Sequence, residues 1–172
     1  TSLAAWTTSA SVRMVAFSSL MFWAMAGMFF WPMARLGRPA LALASMTEMV
    51  SNAADISQAV DIPVIADADT GYGGVLNVAR TVRQYQRTGV AAIHIEDQES
   101  PKRCGHLDDK RVVPAAEMAQ KIRAAVDART GDDFPIIVRT DALAVTGWED
   151  TMRRCDAYVE AGADVLFAEA LR

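Results

Sequence analysis

Short apolar runs alternate with helix-period segments along most of this chain, and that alternation limits the folds open to it. The runs cover 63–68, 91–95, 136–138 and 165–167. The first, PVIADA, is a continuous apolar run of the kind expected for a strand covered on both faces. A helix is predicted over 47–60, with Ser45 and Glu48 at capping-box spacing. Another is predicted over 76–88, closed by Gly89. A third opens with Pro114 at its first position and gathers Met118, Ile122, Ala125 and Val126 on one face. A fourth runs from a second capping box, Thr146 and Glu149, to Ala161, with Gly162 after it. Buried strands alternating with helices predict a parallel sheet. The strand-to-strand repeat of roughly 25–40 residues serves either an open doubly wound sheet or a (β/α)8 barrel.

Every predicted strand ends in ionisable residues: Asp67 and Asp69, Glu96 and Asp97, Arg139 and Asp141, and Glu169. In a parallel sheet these ends share one edge, and in a barrel they converge on one mouth. So many acids repel one another unless a cation sits among them. Oxygen-only ligands favour a hard ion, Mg²⁺ first and Mn²⁺ second. Plainer readings stand beside these. Asp67 and Asp69 could cap the turn that follows, Arg139 could serve only to pair with Asp141, and Glu169 could be solvated. His94, between Ile93 and Ile95, suits a hydrogen-bonded core position as well as a functional one. Cys155, among Met152, Tyr158 and Val159, reads as packing, and Tyr72 either covers the site or fills its loop.

The segment IHIEDQESPKRCGH, 93–106, adds a thiol to this edge. Cys104 lies between Arg103 and Gly105, with Lys102 and His106 nearby. Neighbouring cations lower a thiol pKa, and a glycine beside it lets a substrate approach the backbone.

The remaining composition narrows the class. At 172 residues, 52% hydrophobic and 22% charged, the chain suits one globular domain. A net charge of −4 without a basic cluster argues against nucleic acid as partner. Two cysteines, Cys104 and Cys155, make neither a disulfide framework nor a zinc motif, and a reducing, cytoplasmic compartment is expected. Residues 14–34 carry no charge, are flanked by Arg13 and Arg35, and are rich in Met, Phe and Trp. About 20 apolar residues span a bilayer. We read the run nonetheless as a divergent start to a soluble domain.

At DADTGYGG, IEDQESPKRCGH and RTDALAV the chain resembles the isocitrate lyase/phosphoenolpyruvate mutase superfamily, and most closely its methylisocitrate lyase branch. The match runs from about residue 36 to 172, with three motifs in order. The resemblance implies a (β/α)8 barrel, here with about four to five βα units. It also implies Mg²⁺ and a di- or tricarboxylate substrate, and a homotetramer for the full-length form. By the same resemblance Asp67, Asp69 and Glu96 serve the metal, and Cys104 is the catalytic thiol beside His106. Cys104, Gly105, Arg139 and Glu169 contact the substrate. The implied reaction is cleavage of 2-methylisocitrate to pyruvate and succinate, with a dimethylmalate-type lyase, a carboxyphosphonoenolpyruvate mutase or an inactive fragment as alternatives. A KRCGH loop marks the carbon–carbon lyases, and the short link from DADTGYGG to IEDQ fits the compact methylisocitrate type. Residues 1–33 stand where the family has its first strands, as a divergent hydrophobic segment, and 34–172 form the partial barrel. A shifted reading frame or a wrong start would produce such a change.

Overall fold

The computed structural model describes residues 43–103 and 109–169, together with the backbone of 13–14. Four βα-type repeats give strands β2 (Ile65–Asp67), β3 (Ala92–Glu96), β4 (Ile136–Thr140) and β5 (Val165–Ala168). Helices α1 (Met46–Ala59), α2 (Val75–Gln86), α3 (Ala115–Ala128) and α5 (Trp148–Glu160) separate them, with a four-residue helix α4 (Ala142–Val145) ahead of α5. A two-residue strand, β1 (Arg13–Met14), pairs with β5 at the far edge. The rest of residues 1–33 lies outside the described part.

All pairings are parallel, in the order β1-β5-β4-β3-β2. From β2 to β5 each strand is laid beside the last without reversing. Parallel crossovers are right-handed, so a sheet that grows one way keeps its helices on one side. A doubly wound sheet reverses its order at a switch point, and these four strands do not. Of the two folds left open by the alternation, this order fits a segment of (β/α)8 barrel wall.

The core lies between sheet and helices. Ile93, Ile95, Ile136 and Val138 meet Val78, Val82, Tyr85, Met118, Ile122 and Tyr158, all essentially inaccessible to water. Each such side chain contributes about 1.5–3 kcal/mol on burial. β3 is buried at every position, as its continuous apolar run requires. The N-terminus of α1 carries the expected capping box: the Glu48 N–H donates to Ser45 Oγ at 3.3 Å and the Ser45 N–H to Glu48 Oε2 at 2.8 Å.

Two helix starts differ from the sequence reading. Pro114 stands at the N-cap, not inside the helix. The Thr146–Glu149 box does not form, because Gly147 is the cap of α5. The Thr146 hydroxyl is taken up elsewhere. Thr146 Oγ1 donates to Asp150 Oδ2 at 2.6 Å, with the Ala142 carbonyl 3.2 Å away.

Candidate active site

Strand register builds the site. Asp67 lies opposite His94, and Glu96 opposite Arg139. The carboxyl ends of three neighbouring strands therefore present their charges side by side.

The DADTGYGG turn, 67–74, brings in Asp69. Asp69 and Tyr72 adopt positive φ (57° and 58°), an uncommon state for residues with side chains. The turn is pinned along its length. Asp69 N–H donates to Asp67 Oδ1 at 2.7 Å, Glu96 N–H to the Asp69 carbonyl at 3.0 Å, and Tyr85 OH to the Asp67 carbonyl at 2.9 Å. At Gly71 (φ +86°) an added Cβ would stand 2.5 Å from Val78 Cγ2, so only glycine lets the turn lie this close to α2. Tyr72 packs against the core, with its hydroxyl 3.2 Å from that of Tyr85.

Three carboxylates meet at one cation. The ammonium of Lys102 lies 3.2 Å from Asp67 Oδ2, 3.5 Å from Glu96 Oε1 and 3.7 Å from Asp69 Oδ2. His94 Nε2 stands 3.7 Å from Asp67 Oδ1. Among the described residues no three acids or imidazoles close directly on a metal-sized point; the acids close on the lysine. Beside this seat Arg139 joins a second set. Its guanidinium reaches Asp141 at 3.0 and 3.2 Å, Glu169 at 3.5 Å and Glu96 at 3.6 Å, and lies over the Phe167 ring. Lys110 adds a 3.0 Å contact to Asp141.

Burial works against every charge here, and the neighbours decide which group carries one. Burial disfavours the Asp67 carboxylate, yet Lys102 and then His94 hold its pKa far below the usual range. Burial wins at Asp69 and Glu96, whose carboxyl pKa values are raised in spite of Lys102. Burial lowers His94 to about 4 against the pull of Asp67, leaving the ring neutral at pH 7. Lys102 and Arg139 also meet a burial penalty, but their acids overcome it and keep both charged.

The structure thus brings together Asp67, Asp69, Glu96, Arg139 and Glu169 on one edge. Cys104, Gly105 and His106 lie outside the described residues. The Asp67/Asp69 capping reading and the Arg139–Asp141 pairing both hold in part: Oδ1 of each aspartate takes a turn N–H while Oδ2 faces Lys102, and Arg139 bonds Asp141 while also reaching Glu96 and Glu169. Sequence reasoning treated Lys102 only as a neighbour of the thiol. It also missed Lys110 and Gln98, whose signal was no more than a polar residue beside a motif.

One property fits a divalent cation. Glu96 Oε1 is buried without a hydrogen-bond partner among the described residues, and it faces the shared seat with the oxygens of Asp67 and Asp69. An all-oxygen donor set of this charge suits Mg²⁺.

Parallel βα units with ionisable residues gathered at the strand carboxyl ends define a barrel-type α/β protein with its candidate site at that edge. The chain belongs to the phosphoenolpyruvate phosphomutase family, whose model matches residues 4–172. It is 50% identical over 138 residues to the 2-methylisocitrate lyase of Shewanella oneidensis, a match covering 80% of this chain and 47% of that one. The structure is similar to 2,3-dimethylmalate lyase, described as a PEP mutase/isocitrate lyase superfamily member. That comparison gives a TM-score of 0.79 at 42% identity, over 93% of this chain and 57% of that one. It is also similar to phosphonopyruvate hydrolase in complex with oxalate and Mg²⁺, with a TM-score of 0.75 at 34% identity, over 94% and 58% of the two chains. The chain spans about half the length of the curated relatives it matches.

Proposed function

We propose that this chain carries the catalytic centre of a Mg²⁺-dependent carbon–carbon lyase that cleaves 2-methylisocitrate to pyruvate and succinate. The observation that carries the reading is the meeting of Asp67, Asp69 and Glu96 at one cation seat, with Arg139 alongside. The 2-methylisocitrate lyase relative at 50% identity supports the substrate. Asp67, Asp69 and Glu96 would hold the ion, which when bound supplies Lewis-acid polarisation of the substrate hydroxyl and its adjacent carboxylate.

The chain's own residues do the rest. Arg139, locked by Asp141, Glu96 and Glu169, presents a fixed positive face to a substrate carboxylate. That face is where charge builds when the hydroxyl proton leaves and the carbon–carbon bond breaks, because the departing electron pair spreads into the carboxylate of the succinate half. Cys104 gives its proton to that carbon, completing succinate, and His106 stands by it in sequence. Half-buried or buried side chains around the seat exclude water that would compete for the carbanion.

The test is cleavage of 2-methylisocitrate by the Mg²⁺-loaded enzyme, with succinate and pyruvate both quantified. Asp69→Ala should abolish turnover and weaken Mg²⁺ binding measured by calorimetry. Cys104→Ser should keep substrate binding and lose about 10²–10⁴-fold in rate. Undiminished turnover in excess EDTA refutes the metal role. The similarity to 2,3-dimethylmalate lyase makes 2,3-dimethylmalate the second substrate to assay. Its cleavage yields pyruvate without succinate, so the product pair separates the two readings.

A further inference from the structure

Residues 98–112 leave the end of β3 as an excursion whose base is closed by backbone pairing. Glu99 N–H donates to the Arg111 carbonyl and Val113 N–H to the Asp97 carbonyl, both at 2.9 Å, with Gln98 bridged to Val112. Inside that base the side chain of Gln98 is buried, at 2% exposure. Its amide makes a two-point pairing with one residue: Oε1 accepts from the Arg103 N–H and Nε2 donates to the Arg103 carbonyl, each at 2.9 Å. The second Nε2 proton points to Asp141 Oδ2 at 3.3 Å. A flipped amide would set N–H against N–H and oxygen against both carbonyl and carboxylate, so its orientation is fixed. These three bonds all go to groups around the site and none to the hydrophobic core.

The residue next to the clamped one is Lys102, whose ammonium fills the seat between Asp67, Asp69 and Glu96. A lysine has four rotatable side-chain bonds and holds one place only if its backbone is held. Asp141, at the other end of the clamp, also locks Arg139 and Lys110. We infer that Gln98 is a positioning residue: its amide splints the Arg103 backbone to Asp141, which sets Lys102 in the carboxylate seat in register with Arg139. The inference rests on the reading of this seat as the working site.

The test labels lysines of the metal-free protein with an amine-acylating reagent and reads each site by mass spectrometry. Lys121 is equally buried (6% exposed, like Lys102) but sits on α3, donating toward the Thr70 carbonyl, and serves as internal reference. In Gln98→Met, labelling of Lys102 should rise about tenfold while Lys121 stays protected, since losing a hydrogen bond shifts a local opening equilibrium by about that factor. Gln98→Glu keeps the chain length and the bond from the Arg103 N–H, but sets a carboxylate oxygen against the Arg103 carbonyl and Asp141. It should expose Lys102 likewise. Unchanged Lys102 labelling in both variants overturns the inference, and so does an equal rise at Lys121, which would mark Gln98 as core packing. Labelling needs no turnover, so an inactive wild type would refute the proposed function while still deciding this point.

Discussion

Replacing Asp97 by Asn changes one atom and should cost the fold several kcal/mol. Asp97 is fully buried between β3, β4 and α5, and donors surround it. Thr140 Oγ1 and Tyr158 OH each donate at 2.7 Å, Asp141 N–H at 3.0 Å and the Arg154 guanidinium at 3.5 Å. The direction of the hydroxyl bonds is settled by their other partners. Thr140 Oγ1 already accepts from the Ala142 N–H, and Tyr158 OH accepts from Arg154, so both protons point at Asp97. Burial raises its carboxyl pKa against these donors. Even so, a protonated Asp97 would aim its own hydrogen at another donor. The group is therefore a carboxylate, and an amide in its place must turn an NH₂ toward either the Asp141 N–H or the hydroxyl pair. It also removes the buried charge opposite Arg154. Stranding a buried donor costs about 1–3 kcal/mol, and breaking a buried ion pair about 3–5 kcal/mol. Arg154 keeps Asp150 at 2.7 Å and is not left uncompensated, so the ion-pair cost falls below that range and we expect about 3 kcal/mol in all. For a chain of this size that lowers Tm by about 6–12 °C, measured by circular dichroism. Tyr158→Phe removes one donor and should cost about a third as much. An Asp97→Asn melt within about 2 °C of wild type would show that Asp97 is neutral and that this reading of the donors is wrong.

Gly71→Ala must take a left-handed φ and push against Val78, costing about 2 kcal/mol or more in urea unfolding; an unchanged midpoint would show that the turn has another way to lie. Burial pushes the Cys155 thiol up to about 11, so peptide mapping after alkylation at pH 8 should find it modified only in unfolded protein, and rapid native-state modification contradicts its burial. His94 has a folded value of about 4 against an ordinary 6.5, so the unfolded chain binds the extra proton between those pH values. Its contribution, at most about 3 kcal/mol, is complete above pH 6.5 and lost as pH falls toward 4. His94→Gln should flatten the stability profile over that window, and an identical profile in the variant would exclude His94 as its source.

The strands and helices were legible because their signals are local. An apolar run such as 91–95 has one stable home, between two layers, and Gly89 and Gly162 close their helices at left-handed φ as expected. The acids at the strand ends were legible for the same reason: a parallel sheet delivers them to one edge whatever lies between. Barrel and doubly wound sheet could not be told apart, since strand order is a property of pairing and leaves no mark on any one segment. Lys102 was legible only as a neighbour of Cys104; the path of its side chain back to acids up to 35 residues away leaves no local signal. Thr146 had the spacing of a cap, but two closer partners claim its hydroxyl. Asp97 and Gln98 offered no periodic signal at all, since their partners come from β4, α5 and the excursion itself.

The strand register also bears on how the fold assembles. Asp67 is balanced by Lys102, Glu96 by Arg139, and Arg139 by Glu96 and Glu169. These compensations run between successive βα units. A lone unit leaves its rim charges without their cross-strand partners, and docking the next one supplies them while burying the apolar strand beside it. Coulombic and hydrophobic gains thus arrive in the same step. The charged residues of the candidate site therefore tie neighbouring repeats together, and deleting a cross-strand charge loosens two repeats at once.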